Sequence, residues 1–293
     1  MFSIIVPSYN RNTEVNALLA SLENQTVKNF EVIVVDDCSQ NFIKIDRTFS
    51  FPVTLIRNET NSGAAQSRNV GANTAKNDWL LFLDDDDRFA DNKCEVLAKT
   101  IVENPQANFV YHPAKCNMVN EGFSYVTSPL PPAQLTLDNM LLANKIGGMP
   151  MLGIKKDFFF ELGGLSTELK SLEDYDFVLK LVSNPNLKAI LVDQPLSICS
   201  FHTKRASVST NTANTEKAIE IIRANYVKTV RQTHNFSLNA LYMLAYPNAM
   251  NLSRKAATYY FEMFKKSHSL KHLIIAVVTF ISPSLAINLK RFV

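Results

Sequence analysis

The sequence predicts an α/β domain built on a mostly parallel sheet with helices on both faces, followed by a helical C-terminal extension. Three observations predict it. Short apolar runs alternate with segments of helical periodicity through the first hundred or so residues. Those runs end in polar or acidic clusters, which is where open α/β sheets bind ligands, beyond the carboxyl ends of their strands. After about Thr212 only helical patterns remain. With 293 residues, 46% of them hydrophobic and 19% charged, the chain can bury a sizeable core, and intrinsic disorder is excluded.

Each element follows from its residues. Residues 2–6 read as a strand, and Asn12 and Thr13 can cap a helix over residues 13–24 whose Val15, Leu18, Leu19 and Leu22 share one face. Residues 31–35 form a buried strand ending at Asp36-Asp37. Residues 53–56 are a third strand, 63–76 a helical segment, and 79–83 a fourth strand closed by Asp84-Asp85-Asp86-Asp87. From about Asn108 the pattern is mixed. Short strands are expected at 109–111 and 123–126, a loop through Pro129, Pro131 and Pro132, and a helix at 137–143. The turn Gly147-Gly148, a strand near 151–154, a helix beginning at Glu173 and a strand at 189–192 follow.

Charge divides the chain unevenly. Residues 1–205 carry 19 Lys and Arg against 24 Asp and Glu, a net −5, whereas residues 206–293 carry 11 against 3, a net +8. The shift marks a boundary near the polar stretch 207–212. The four cysteines, Cys38, Cys94, Cys116 and Cys199, show neither zinc-site nor disulfide-scaffold spacing, so a reducing compartment is expected. The N-terminus enters directly into an apolar strand without a leader-like segment, and the expected location is the cytoplasm or the inner face of its membrane.

The chemistry concentrates at the strand ends. A buried strand ending in four aspartates gathers negative charge at one sheet edge, and such charge requires a cation or protons unless the run is a solvated turn. Around it stand Pro7-Ser8-Tyr9-Asn10-Arg11, Asp36-Asp37-Cys38-Ser39, the stretch 58–69 containing Gly63 and Arg68, and the later Leu172-Glu173-Asp174-Tyr175-Asp176-Phe177. In order and spacing this series resembles the motifs of the family 2 glycosyltransferases of bacterial cell-surface polysaccharide synthesis, over residues 2–205.

The resemblance implies a GT-A fold with a Rossmann-like sheet and an inverting reaction. It also implies a nucleotide-sugar-binding half at 1–112, an acceptor-binding half at 113–205 and a basic helical region at 206–293. It places Pro7, Tyr9 and Asp37 at a uridine base, Arg68 near the base or phosphates, and Asp84 and Asp85 at the ribose and donor sugar. Asp86 becomes the ligand of Mn²⁺ or Mg²⁺, Asp174 the general base and Glu173 its companion on the acceptor side. The donor implied is a UDP-sugar and the acceptor a saccharide or lipid-linked saccharide. For the aspartates of the second strand end and for Glu173 and Asp174, helix capping is the alternative.

One stretch departs from the family pattern. Where the family carries an aromatic-Arg-x-His-x-x-Ser-x-Ser sequence, this chain has Phe201-His202-Thr203-Lys204-Arg205-Ala206-Ser207-Val208-Ser209. Strict spacing puts Lys204 at the histidine position. Either His202 reaches the metal, or Lys204 and Arg205 pair with the diphosphate.

The basic tail suggests a second property. Lys265, Lys266, Lys271 and two histidines precede an apolar stretch at 273–281 that is too short to span a bilayer, which needs about 20 residues. It suits an anionic membrane surface, or a helix packed on the catalytic domain or on a partner copy in a homodimer. The acidic motifs argue against nucleic acid. A sugar-nucleotide-binding or scaffolding protein without turnover is the non-enzymatic alternative.

Overall fold

The computed structural model describes residues 1–204 and 212–292. The expected boundary at residues 205 and 206, Arg205 and the serines of 207–209 lie outside the described residues.

Along the first half run β1 (Phe2–Ser8), α1 (Asn12–Leu22), β2 (Phe30–Asp36), β3 (Val53–Arg57), α2 (Gly63–Thr74), β4 (Trp79–Phe82), β5 (Arg88–Phe89) and α3 (Lys93–Glu103). Then come β6 (Phe109–Tyr111), β7 (Ala114–Met118), β8 (Phe123–Val126), α4 (Leu137–Leu142), β9 (Leu152–Lys155), α5 (Lys156–Glu161), α6 (Glu173–Ser183), β10 (Ala189–Leu191) and β11 (Ser197–Phe201). Among the described residues five α-helices follow: α7 (Thr212–Tyr226), α8 (Val230–Met250), α9 (Lys255–Ser267), α10 (Leu270–Ile281) and α11 (Pro283–Asn288).

The strands make two separate sheets, a seven-stranded one ordered β10-β6-β9-β4-β1-β2-β3 and a four-stranded one ordered β5-β11-β7-β8. This corrects the expected single Rossmann-like GT-A sheet. Of the second sheet only β8 matches an expected strand, because β5, β7 and β11 are not continuous apolar runs. In β7 the buried Ala114, Cys116 and Met118 alternate with Lys115 and Asn117, β11 carries Ser197 and Ser200, and β5 has only two residues. Within the large sheet β9 runs antiparallel to both β4 and β6, filling the gap between them as the chain returns from the second sheet.

In the large sheet β1, β2 and β4 are buried at every position, because helices cover both faces. Ile5, Ile33, Val35, Leu80 and Phe82 face a cluster that includes α5, α6, α7 and α8, with Phe159, Phe177, Ile222 and Phe236 among its members. Ile4, Val6, Val32, Val34 and Leu81 face the opposite way, onto Val15, Leu18 and Leu19 of α1 and Leu97 of α3. A smaller cluster joins the second sheet to the last helices through Met118, Ala249, Ala256 and Ile287. No helix of the described residues is long and apolar enough to cross a membrane.

The crossing of α2 over β1 requires a glycine. A Cβ on Gly71 would collide with the Ile5 side chain, which is itself fully buried in the sheet and cannot retreat. Gly71→Ala is therefore expected to cost about 1–3 kcal/mol through overpacking, read as a lower urea midpoint. An unchanged midpoint would mean that α2 can lift off the sheet without cost.

Candidate active site

Parallel pairing of β2, β1 and β4 brings their carboxyl ends to one edge. Pro7 lies past the last residue of β1 paired with β4, so its missing N–H leaves no gap on that side. Beyond Ser8 the chain exposes Tyr9 and turns through Asn10 in the left-handed region (φ 56°).

The four aspartates, for which a cation or protons were expected, have arginine and serine partners in the fold. Ser8 Oγ donates to Asp85 Oδ2 at 2.7 Å, and Arg11 Nη1 donates to Asp85 Oδ1 at 2.5 Å and Asp86 Oδ2 at 3.0 Å. Arg68, buried on α2, donates through Nη2 to Asp84 at 2.6 Å and through Nη1 to Glu173 at 3.0 Å. Asp87 accepts from the Ser200 N–H at 3.1 Å in the second sheet, and burial, with the Asp84 charge beside it, pushes its carboxyl up to about 7. Burial also raises Asp85, against the pull of Ser8 and Arg11. Two guanidinium groups and a proton near neutrality thus stabilise a run that charge repulsion alone would open.

Arg11 was not among the expected site residues, and the need for a counter-charge opposite four aspartates is the sequence signal that points to it.

Asp36 and Asp37 organise the next turn. Asp36, fully buried, accepts from Ser39 N–H at 2.9 Å and Arg57 Nη1 at 3.0 Å. Asp37 accepts from Asn58 Nδ2 at 2.8 Å, Ser62 N–H at 2.9 Å and Gly63 N–H at 2.8 Å, so it caps the start of α2. These three donors leave about one acceptor site of the carboxylate open.

Glu173 and Asp174 begin α6, reached through Leu172 in the left-handed region (φ 62°). Arg68 therefore connects the acidic run at the end of β4 to residues about a hundred positions later. Asp174 Oδ1 accepts from the Tyr175 N–H at 2.7 Å, while its Oδ2 points toward Gly148, where a Cβ would stand 3.6 Å away. Burial, with the Glu173 carboxylate adjacent, pushes the Asp174 carboxyl up to about 6 although Arg68 opposes the shift. Asp176 has a structural place instead. It accepts from Tyr226 Oη at 3.0 Å and pairs with Lys180 at 3.4 Å. Tyr175 Oη donates to the Met140 carbonyl at 2.9 Å and accepts from Asn239 at 3.0 Å, fixing α6 to α4 and α8.

Pro7, Tyr9, Asp37, Asp84, Asp85 and Asp86 thus lie along the ends of three adjacent strands, and Arg68 ties Glu173 and Asp174 to them. His202 follows β11, and Lys204 is held in the left-handed region (φ 61°) by its N–H to the Met250 carbonyl at 3.0 Å. Among the described residues no group of three or more His, Cys, Asp or Glu side chains is assembled to hold a metal ion.

The chain belongs to glycosyl transferase family 2, whose model matches residues 3–162. It is 63% identical over 291 residues, covering 99% of both chains, to an uncharacterized glycosyltransferase of Haemophilus influenzae. It is 29% identical over 214 residues to the Escherichia coli UDP-Glc:alpha-D-GlcNAc-diphosphoundecaprenol beta-1,3-glucosyltransferase WfgD, covering 72% of this chain and 80% of that one. Structures of S. aureus TarS share the fold. One superposes with a TM-score of 0.60 at 24% identity over 96% of this chain and 48% of that chain. TarS 1–349 in complex with UDP-GlcNAc gives 0.58 at 19% identity, over 94% and 90%. The protein is a glycosyltransferase, which moves a sugar from a nucleotide-sugar donor to an acceptor.

Proposed function

We propose that this glycosyltransferase works by single displacement with inversion, using a UDP-sugar, a divalent cation and a saccharide or lipid-linked saccharide acceptor in bacterial surface-glycan synthesis. The observation that carries this reading is the Arg68 bridge, which sets a carboxylate of raised pKa, Asp174, beside the acidic edge of the sheet. The relatives point the same way. WfgD is named for UDP-glucose and a diphosphoundecaprenol acceptor, and TarS has been solved with UDP-GlcNAc.

In this reading the backbone at Pro7, the exposed ring of Tyr9 and the remaining acceptor site of Asp37 bind the base. Asp84 and Asp85 address the ribose and donor sugar. Asp86 suits a cation. Its side chain is 33% exposed where that of Asp85 is 7%, and a hard ion such as Mg²⁺ or Mn²⁺ takes most of its oxygens from water and diphosphate rather than from a protein cage. The ion, when bound, supplies neutralisation of the charge on the departing diphosphate. Arg11 shares Asp86, so it must yield part of that carboxylate on loading.

Asp174 accepts the proton of the acceptor hydroxyl as that oxygen bonds to the anomeric carbon and the bond from that carbon to the diphosphate oxygen breaks. A base with a pKa near 6 is ionised at neutral pH yet stays basic enough to take a proton. Glu173 keeps Arg68 in place on the acceptor side.

A panel of UDP- and GDP-sugars tests the donor assignment by thermal stabilisation with and without Mn²⁺. A ligand at a hundred times its Kd stabilises the native state by about 2.7 kcal/mol. One UDP-sugar is expected to give a Mn²⁺-dependent increment that Asp86→Ala abolishes. An increment unchanged in Asp86→Ala, or a response to GDP-sugars alone, would overturn the assignment.

A further inference from the structure

We infer that the outer face of α10 is a docking surface for an anionic lipid bilayer, an interaction independent of the donor-site chemistry proposed above. The helix turns Ala276 and Thr279 inward, where both are buried. On the opposite side Leu270, Ile274, Val277 and Ile281 recur at intervals of four, three and four residues. With Phe280 beside them they stand 49–66% exposed. Lone exposed apolar residues are ordinary on a protein surface, whereas a row of this length along one helix face marks an interaction site.

The surroundings identify the occupant. Residues 250–293 carry seven Lys and Arg against one acidic residue, Glu262. Lys266 at the end of α9 and Lys271 in the first turn of α10 are both exposed at the head of the apolar row, and Lys265 beside them pairs with Glu262 at 2.7 Å. An apolar row headed by cations is the pattern of a helix lying in a membrane interface, with its row in the acyl boundary and its lysines at the headgroups.

A second copy of the chain fits less well. Twelve residues make a helix of about 18 Å, whose outer face falls far below the roughly 800 Å² per partner of a stable interface. Anionic headgroups, by contrast, also neutralise the exposed Lys266 and Lys271 at the head of the row.

The test is co-sedimentation of the full-length protein with vesicles of phosphatidylglycerol and phosphatidylcholine, or of phosphatidylcholine alone. Wild type is expected to pellet with the anionic vesicles and to be released as salt rises. The exposed double variant Ile274→Glu/Val277→Glu should bind them at least tenfold more weakly, with its circular dichroism and its transfer to a soluble acceptor unchanged. Lys266→Ala/Lys271→Ala should lose the salt-sensitive part of binding. Equal binding of the glutamate variant, or absence of wild-type binding to anionic vesicles, overturns the proposal. A wild-type dimer that the glutamate variant converts to monomer would assign the face to a second copy instead.

Discussion

Replacing Asp174 by asparagine is expected to lower the rate of sugar transfer by roughly two to four orders of magnitude while UDP binding persists. The amide keeps the size of the carboxylate but cannot take the acceptor's proton, and Asp174 is not among the residues proposed to hold the nucleotide. The pH dependence follows from the same group. Because its carboxyl is raised to about 6, transfer should rise with pH through that value and then level off, and the residual activity of Asp174→Asn should lack this limb.

Stability moves in the opposite sense. A carboxyl raised on folding binds a proton more tightly in the native chain, so Asp174 favours folding below its unfolded pKa and this contribution is lost as pH rises through about 6. Asp174→Asn should therefore be no less stable than wild type at neutral pH. A variant that lost activity by unfolding, or solely through weaker donor binding, would remove the base from the account.

The second large effect is expected at Arg68. Its buried guanidinium holds Asp84 and Glu173 together, and Arg68→Met would leave two carboxylates facing each other without a cation. Breaking a buried pair from one side costs about 3–5 kcal/mol. The lower end applies here because the Asp84 side chain is 35% exposed. Since Arg68 also holds down the pKa of Asp174, the acid limb of transfer in Arg68→Met should move above the wild-type value. Urea denaturation reads the first effect and the pH profile the second. Loss of stability without any displacement of the limb would make Arg68 a structural pin only.

The parts of this molecule differ in how far they can be read from sequence. β1, β2 and β4 announce themselves because strands covered on both faces must be apolar at every position, and their polar ends stand out against that background. Apart from β8, the second sheet is hidden because half-buried strands such as β7 mix Lys115 and Asn117 among small buried residues, a pattern shared with loops. At the site, residue types and order are legible but pairing is not. Nothing local tells that Arg68 reaches Glu173, or that Asp37 spends three bonds on the start of α2. The acidic run suggested a metal because charge neutralisation can be inferred from composition, whereas the choice of Arg11 as neutraliser depends on how the turn after β1 folds back. Likewise the apolar stretch of the tail is visible, yet which of its sides faces water is decided by the packing of α9 and α10.

The anomeric configuration of the first-formed product tests the central claim most directly. With an α-configured UDP-sugar, single displacement assisted by Asp174 predicts a β-linked product, read from the anomeric proton coupling in the NMR spectrum of the transfer mixture. An α-linked product would require a second displacement or front-face attack, and would contradict the role given to Asp174.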